Sequence, residues 1–213
     1  MKLKMILTAS LLFTFCFMVF SYQPALAAAD VTIVSHSSFY NSLDMLYVVG
    51  EVENTGDVAT EFTIVIATFY DSQDQIIGNK TGYATLDVLL TGRKSPFNIL
   101  LLPEDGAMDV SRYTLTVAFS EYDETKPQGL EILSSEQSID VMDYLHVTGE
   151  IKNTASTTAT DVYVSATFYD STGTVIGRNW ELTAPSDLAA GETGTFDIEL
   201  IYPHRWRWLQ ATA

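Results

Sequence analysis

Cysteine is nearly absent from this chain: Cys16 is the single one in 213 residues. It lies in an apolar N-terminal stretch and follows Phe15, where lipid attachment would want a small residue. Past that stretch no thiol remains, so disulfides and thiolate metal sites are excluded. Basic residues are scarce too, with 11 Lys and Arg against 27 Asp and Glu and a net charge of −16. Such a field repels phosphate backbones, which excludes nucleic acid as a partner, and it disfavours anionic membrane surfaces. The acids are scattered rather than blocked, as on solvated faces and loops. Sustained helical periodicity is missing as well, and after the N-terminal stretch there is no apolar run long enough to span a bilayer.

What the N-terminus does have is an export signal. Lys2 and Lys4 precede an apolar segment from Met5 to Phe20, and Pro24-Ala25-Leu26-Ala27 supplies the small-residue pattern of a cleavage site. Residues 1–29 are therefore expected to be a signal peptide, leaving nine basic residues against 27 acidic ones. If uncleaved, the segment would serve as an anchor. Export without disulfides fits secretion to a bacterial or archaeal cell surface. No C-terminal anchor or sorting signal is visible, so no membrane span is expected after cleavage.

The remainder is one unit written twice. A shift of 99 residues aligns Val31–Leu101 with Leu130–Leu200 without a gap, with 23 of 71 positions identical. Gly50-Glu51 meets Gly149-Glu150, Asn54-Thr55 meets Asn153-Thr154, and Ala67-Thr68-Phe69-Tyr70-Asp71-Ser72 meets Ala166-Thr167-Phe168-Tyr169-Asp170-Ser171. Ile77-Gly78, Gly92 and Phe97 meet Ile176-Gly177, Gly191 and Phe196. The expected organisation is one domain over 30–119, a linker over 120–129 with Pro127 and Gly129, and a second domain over 130–213.

Each copy alternates apolar and polar residues over short runs broken by Asn, Asp, Gly and Thr. Leu46, Val48, Gly50 and Val52 share a face, as do Thr63, Val65, Ala67 and Phe69. Ser171-Thr172-Gly173 reads as a hairpin turn, and strands are expected around Phe62–Tyr70, Gln75–Tyr83 and Tyr113–Phe119. About 90 residues of such strands per copy predict an all-β antiparallel sandwich, with a closed barrel as the structural runner-up. The run from Asn-Thr through Ala-Thr-Phe-Tyr-Asp to Ile-Gly resembles the FxLYD domains of prokaryotic surface proteins and the broader CARDB-type immunoglobulin-like repeats. Ala67 and Ala166 stand where that signature has its first Phe, and Phe69 and Phe168 replace its Leu. The resemblance implies two tandem immunoglobulin-like β-sandwich domains acting as structural or binding modules, and it brings no catalytic residues.

Nothing in the residues points to catalysis or a cofactor. His36, His146 and His204 lack metal-ligand spacing, and no Ser-His-Asp set stands out. The acidic stretches Asp71-Ser72-Gln73-Asp74, Glu104-Asp105 with Asp109, and Glu121 to Glu124 match no spaced calcium loop. Asn79-Lys80-Thr81 is a glycosylation sequon.

Comparison of the copies exposes two candidate interaction surfaces. Phe62, Ile64 and Ile66 align with Asp161, Tyr163 and Ser165, Val49 aligns with Thr148, and Leu100 with Glu199. If these apolar residues lie on one sheet, they form a docking face for a partner, a second copy or domain two; otherwise a loop or edge strand covers them. The second surface is the C-terminal segment. The counterpart of Tyr113–Phe119 would begin at position 212, and His204-Arg205-Trp206-Arg207-Trp208-Leu209 stands before it. Three readings are open: a sheet edge ready for strand addition; Trp206 and Trp208 completing the core or stacking on a sugar beside Arg205 and Arg207; or a shifted reading frame that removed a strand. The expected function is a non-catalytic extracellular module for protein–protein or cell-surface contact, self-association included. The alternatives are a carbohydrate- or calcium-binding exported protein, or an accessory module of an exported enzyme.

Overall fold

The computed structural model describes residues 28–126, 128–201 and 207–208, and they are all-β. In the first repeat β1 (Val31–Tyr40), β2 (Leu46–Asn54), β3 (Thr60–Tyr70), β4 (Ile76–Tyr83), β5 (Val88–Leu89), β6 (Lys94–Leu101) and β7 (Arg112–Glu121) follow one another. The second contains β8 (Leu130–Ile139), β9 (Tyr144–Asn153), β10 (Tyr163–Tyr169), β11 (Val175–Leu182) and β12 (Thr193–Ile201), and β13 (Arg207–Trp208) comes after it. Among the described residues the helical pieces are two 3₁₀ turns, Pro103–Asp105 and Ala107–Asp109.

Among the described residues every strand pairing is antiparallel. In the first repeat one sheet runs β1-β2-β6 and the facing one β4-β3-β7, with β5 beside the start of β3. Alternation makes the core between them: Leu46, Val48 and Val52 from β2 meet Val65, Ala67 and Phe69 from β3 and Phe97, Ile99 and Leu101 from β6. Tyr113, Leu115, Val117 and Phe119 close that core from β7. The inward face expected for β3 is the observed one, with Thr63 3% exposed and Val65, Ala67 and Phe69 at 0%.

The second repeat keeps β8-β9-β12 as one sheet, while the facing sheet contains β10 and β11 alone among the described residues. Its core gathers Ile151, Val162, Phe168, Leu188, Phe196, Ile198 and Leu200. The Ser171-Thr172-Gly173 turn joins β10 to β11, with Gly173 at φ 84°, a conformation that costs glycine little. Strand-on-strand pairing of this kind, with apolar faces turned inward in each repeat, is a sandwich arrangement.

Two side chains recur as organisers. Buried Asn54 donates through Nδ2 to the carbonyls of Val58 (2.8 Å) and Leu89 (2.7 Å), and its Oδ1 accepts from the Gly56 N–H (3.0 Å). Asn153 repeats all three bonds, to Thr157, Leu188 and Ala155. Each asparagine thereby ties the end of its strand to the loop that follows and to a segment 35 positions on, at Leu89 or Leu188, giving buried carbonyls a donor.

Candidate functional site

The apolar residues singled out by comparing the copies do not share one sheet. Val49 and Leu100 lie on β2 and β6, on the face turned away from the first repeat's core, whereas Phe62, Ile64 and Ile66 lie on β3 in the opposite sheet. The two groups have different surroundings, so each is a separate surface.

Val49 is 3% exposed because the second repeat covers it. A bulge in β1 between Ile33 and Ser35 switches the strand's alternation, so that Ser35, Ser37 and Phe39 join Tyr47, Val49 and Glu51 on the outer face of the sheet. The β10–β11 hairpin lies over this face. Val175 of β11 is fully buried against Phe39 and Val49, with Tyr47 stacked on Phe39 at a centroid distance of 5.4 Å. Ser35 Oγ accepts from the Val175 N–H (3.1 Å), and Ser37 Oγ donates to the Val175 carbonyl. Two serines thus satisfy the backbone of the residue that plugs the apolar centre.

Polar pairs ring that plug. Tyr169 donates its hydroxyl to Glu51 Oε1 (2.7 Å), and Lys94 Nζ lies 3.5 Å from the other oxygen of that buried carboxylate. Burial and then the hydrogen bond to Glu51 push the Tyr169 phenol up to about 12. Arg178 donates to Asn98 Oδ1 (2.7 Å) from a position whose burial pushes its pKa down. Tyr163 donates to the Thr85 carbonyl (3.0 Å) and meets Trp180 edge to face. An apolar centre with a hydrogen-bonded rim has the anatomy of a specific protein interface. Ser165, on the same face of β10, keeps a buried hydroxyl with no hydrogen-bond partner.

On β3 the residues divide again. Phe62 is 68% exposed and sits at φ 48°, where the pairing with β7 skips from Glu61 to Ile64. That backbone is costly for a bulky residue, and the bulge turns its ring to solvent. Ile64 and Ile66 are half-buried on the outer face, with Ile64 paired opposite exposed Tyr83 of β4.

Trp206 lies outside the described residues. Trp208 belongs to β13, which pairs antiparallel with β1 in the first repeat, Trp208 opposite Phe39 and Arg207 opposite Tyr40. The segment therefore extends the sheet of the other repeat.

The edge of β10 differs from that of β3 among the described residues. In the first repeat β3 is flanked by β4 and β7; among the described residues β10 has β11 as its one ladder partner. Beside that edge lies a groove of about 780 Å³ lined by Ile139, Leu145, Val147, Ala166, Phe168 and Leu200, among others. The whole of β8 along its rim is exposed, including Leu130, Ile132 and Leu133 at 48% and Ile139 at 60%.

His36 shares a 2.9 Å hydrogen bond with the Tyr113 hydroxyl, and burial pushes its pKa down. His146 pairs with Asp197 at 2.8 Å, and that hydrogen bond holds its pKa up. His204 lies outside the described residues. Asp71 Oδ1 accepts from the Gln73 and Gln75 N–H groups, Asp74 pairs with Arg112, and Asp105 pairs with Lys80. Among the described residues no three His, Cys, Asp or Glu side chains converge as metal ligands would. Asn79 of the sequon is exposed on β4. Among the described residues no helix is long and apolar enough to cross a membrane. No protein-family model matches this chain, and no curated protein matches it.

Proposed function

We propose that the protein is an exported, non-catalytic scaffold of two tandem immunoglobulin-like sandwiches, similar to FxLYD and CARDB-type repeats, that mediates protein–protein or cell-surface contact. The observation that carries this reading is the seam between the repeats. Two residues that distinguish the copies, Val49 and Tyr163, help join the repeats, where Val49, Phe39 and Val175 are buried together and Tyr163 reaches the Thr85 carbonyl. Burying three apolar side chains of this size contributes about 1.5–3 kcal/mol each, enough to hold two small domains in a restricted orientation. A tandem locked in this way presents fixed outer faces and edges, as a contact module requires. The charge agrees with the exterior: a net −16 keeps such a module soluble and away from nucleic acid.

The test is cellular. With residues 1–29 as its leader, the chain is expected outside the cytoplasm, accessible on intact cells to an added protease and shortened by cleavage after Ala27 or just beyond. Retention in the cytoplasm would overturn the reading.

A further inference from the structure

The internal duplication lets one half of the molecule serve as a template for the other. Each residue lining the groove of the second repeat has a partner 99 positions earlier. Leu145, Val147, Ala166, Phe168 and Leu200 correspond to Leu46, Val48, Ala67, Phe69 and Leu101, which are all buried in the first repeat's core. There the space is filled by β7, whose Tyr113, Leu115, Val117 and Phe119 pack inward while Thr114 and Thr116 face solvent. In the second repeat the same walls stand apart, and Leu145, Val147 and Ala166 are left partly exposed. One wall of the groove is β10, whose edge away from β11 pairs with no other strand among the described residues, and such an edge is a template for strand addition.

We propose that the second repeat is a strand acceptor, taking into the groove between β8 and β10 an extended segment of a partner protein with apolar side chains at four alternate positions. The inference rests on the reading of the chain as a contact module and names the site and the partner's chemistry. The segment adds antiparallel to β10, as β7 adds to β3, so that its second apolar residue faces Ala166 as Leu115 faces Ala67. Charge indicates what flanks it. At the end where β7 begins, Arg112 stacks over Tyr70 with 3.8 Å between guanidinium carbon and ring centroid. Tyr169 holds the matching place in the second repeat, with Asp140 and Asp170 next to the strand ends, and neither β8 nor β10 contains a Lys or Arg. The segment therefore enters with a basic residue at its N-terminal end, complementary to an acidic acceptor.

The chain supplies its own probe. A synthetic peptide of residues 111–121, carrying the sequence of β7, is titrated into the whole protein by calorimetry, with amide hydrogen exchange on the mixture. Saturable one-to-one binding is expected, with new protection over residues 163–169 and 130–139. A peptide carrying Leu115→Asp and Val117→Asp is expected to bind more than about tenfold more weakly, since two charges would enter an apolar groove. One carrying Thr114→Asp and Thr116→Asp on the solvent face has the same charge as the first and is expected to bind the more tightly of the two.

Absence of binding overturns the proposal, as does equal binding of the two doubly substituted peptides or protection over 60–70 instead of 163–169. Residues 163–169 already fully protected in the protein alone would also overturn it. The occupant would then be a second copy if light scattering gives a dimer, or a segment of the same chain if it gives a monomer. Because export is read separately, a chain that reaches the cell surface yet binds no peptide removes this inference and leaves the contact-module reading standing.

Discussion

At the scale of single residues, the positions that recur at the 99-residue offset do the same physical work twice. Gly50 pairs with Phe97, and a methyl group added at Gly50 would meet the ring at 2.5 Å and the Ser35 carbonyl at 2.6 Å. Gly149 stands under Phe196 in the same way. Gly50→Ala is therefore expected to destabilise the first repeat by about 2 kcal/mol or more, the overpacking range, measured by urea unfolding. Asn54→Ala removes a side chain with three hydrogen bonds and takes the amide donor from the Val58 and Leu89 carbonyls, while the Gly56 N–H keeps its bond to the Asp30 carbonyl. A loss of about 2–4 kcal/mol is expected by the same measurement. Ser165→Ala goes the other way: deleting a buried hydroxyl without a partner is expected to raise the melting temperature.

Tyr169 gives the seam a pH signature. Its folded pKa lies near 12, above the ordinary phenol value of 10.0, so the protonated form is the one the folded state favours. Its contribution is present in full below about pH 10 and is lost as pH rises through 12. Tyr169→Phe is expected to cost about 1 kcal/mol at neutral pH and to flatten the fall in stability between pH 10 and 12, followed by thermal melts across that range. A wild-type-like alkaline profile in the variant would show that another group carries the transition.

At the scale of elements, β1 and β8 show how one strand pattern can meet two fates. Both contain ten residues, both pair with the next strand, and both are bulged at the same place, between Ile33 and Ser35 and between Ile132 and Ser134. Yet β1 is covered on its inner face by the first core and on its outer face by β11, whereas every residue of β8 is exposed. Amides of β8 are expected to exchange faster than those of β1, because an exposed strand opens without unfolding its repeat. The β11 hairpin is the element that joins the repeats. Val175→Asp puts a charge into the apolar centre of the seam and is expected to separate the two repeats into independent unfolding units. Loss of the seam would appear in small-angle scattering as a larger radius of gyration.

At the scale of the whole molecule, the two repeats are unequal despite their common pattern. Among the described residues the first core gathers fifteen buried residues and the second seven, so the second repeat has less apolar burial to set against chain entropy. Calorimetry is expected to show the second repeat melting first, and a peptide of residues 111–121 that fills its groove would bring the two transitions closer. A single cooperative transition would mean that the seam couples the repeats more strongly than their cores differ.

The sequence by itself determined the all-β class, the inward face of β3, the hairpin at Gly173 and the pairing of positions 99 apart. Each follows from local rules: a period of two along a strand, glycine at a tight turn, and identical residues performing identical tasks. It also showed which copy holds extra apolar residues. Which of those residues meet was a matter for tertiary structure alone. Alternation says that Val49 and Ile64 both face away from a core, but not that they lie on opposite sheets. Nor does it say that the β1 bulge turns Ser35 and Phe39 toward Val175, or that Tyr169 reaches Glu51, 118 positions away in the chain. Those contacts arise from the stacking of one sheet on another, whose partners no local pattern encodes.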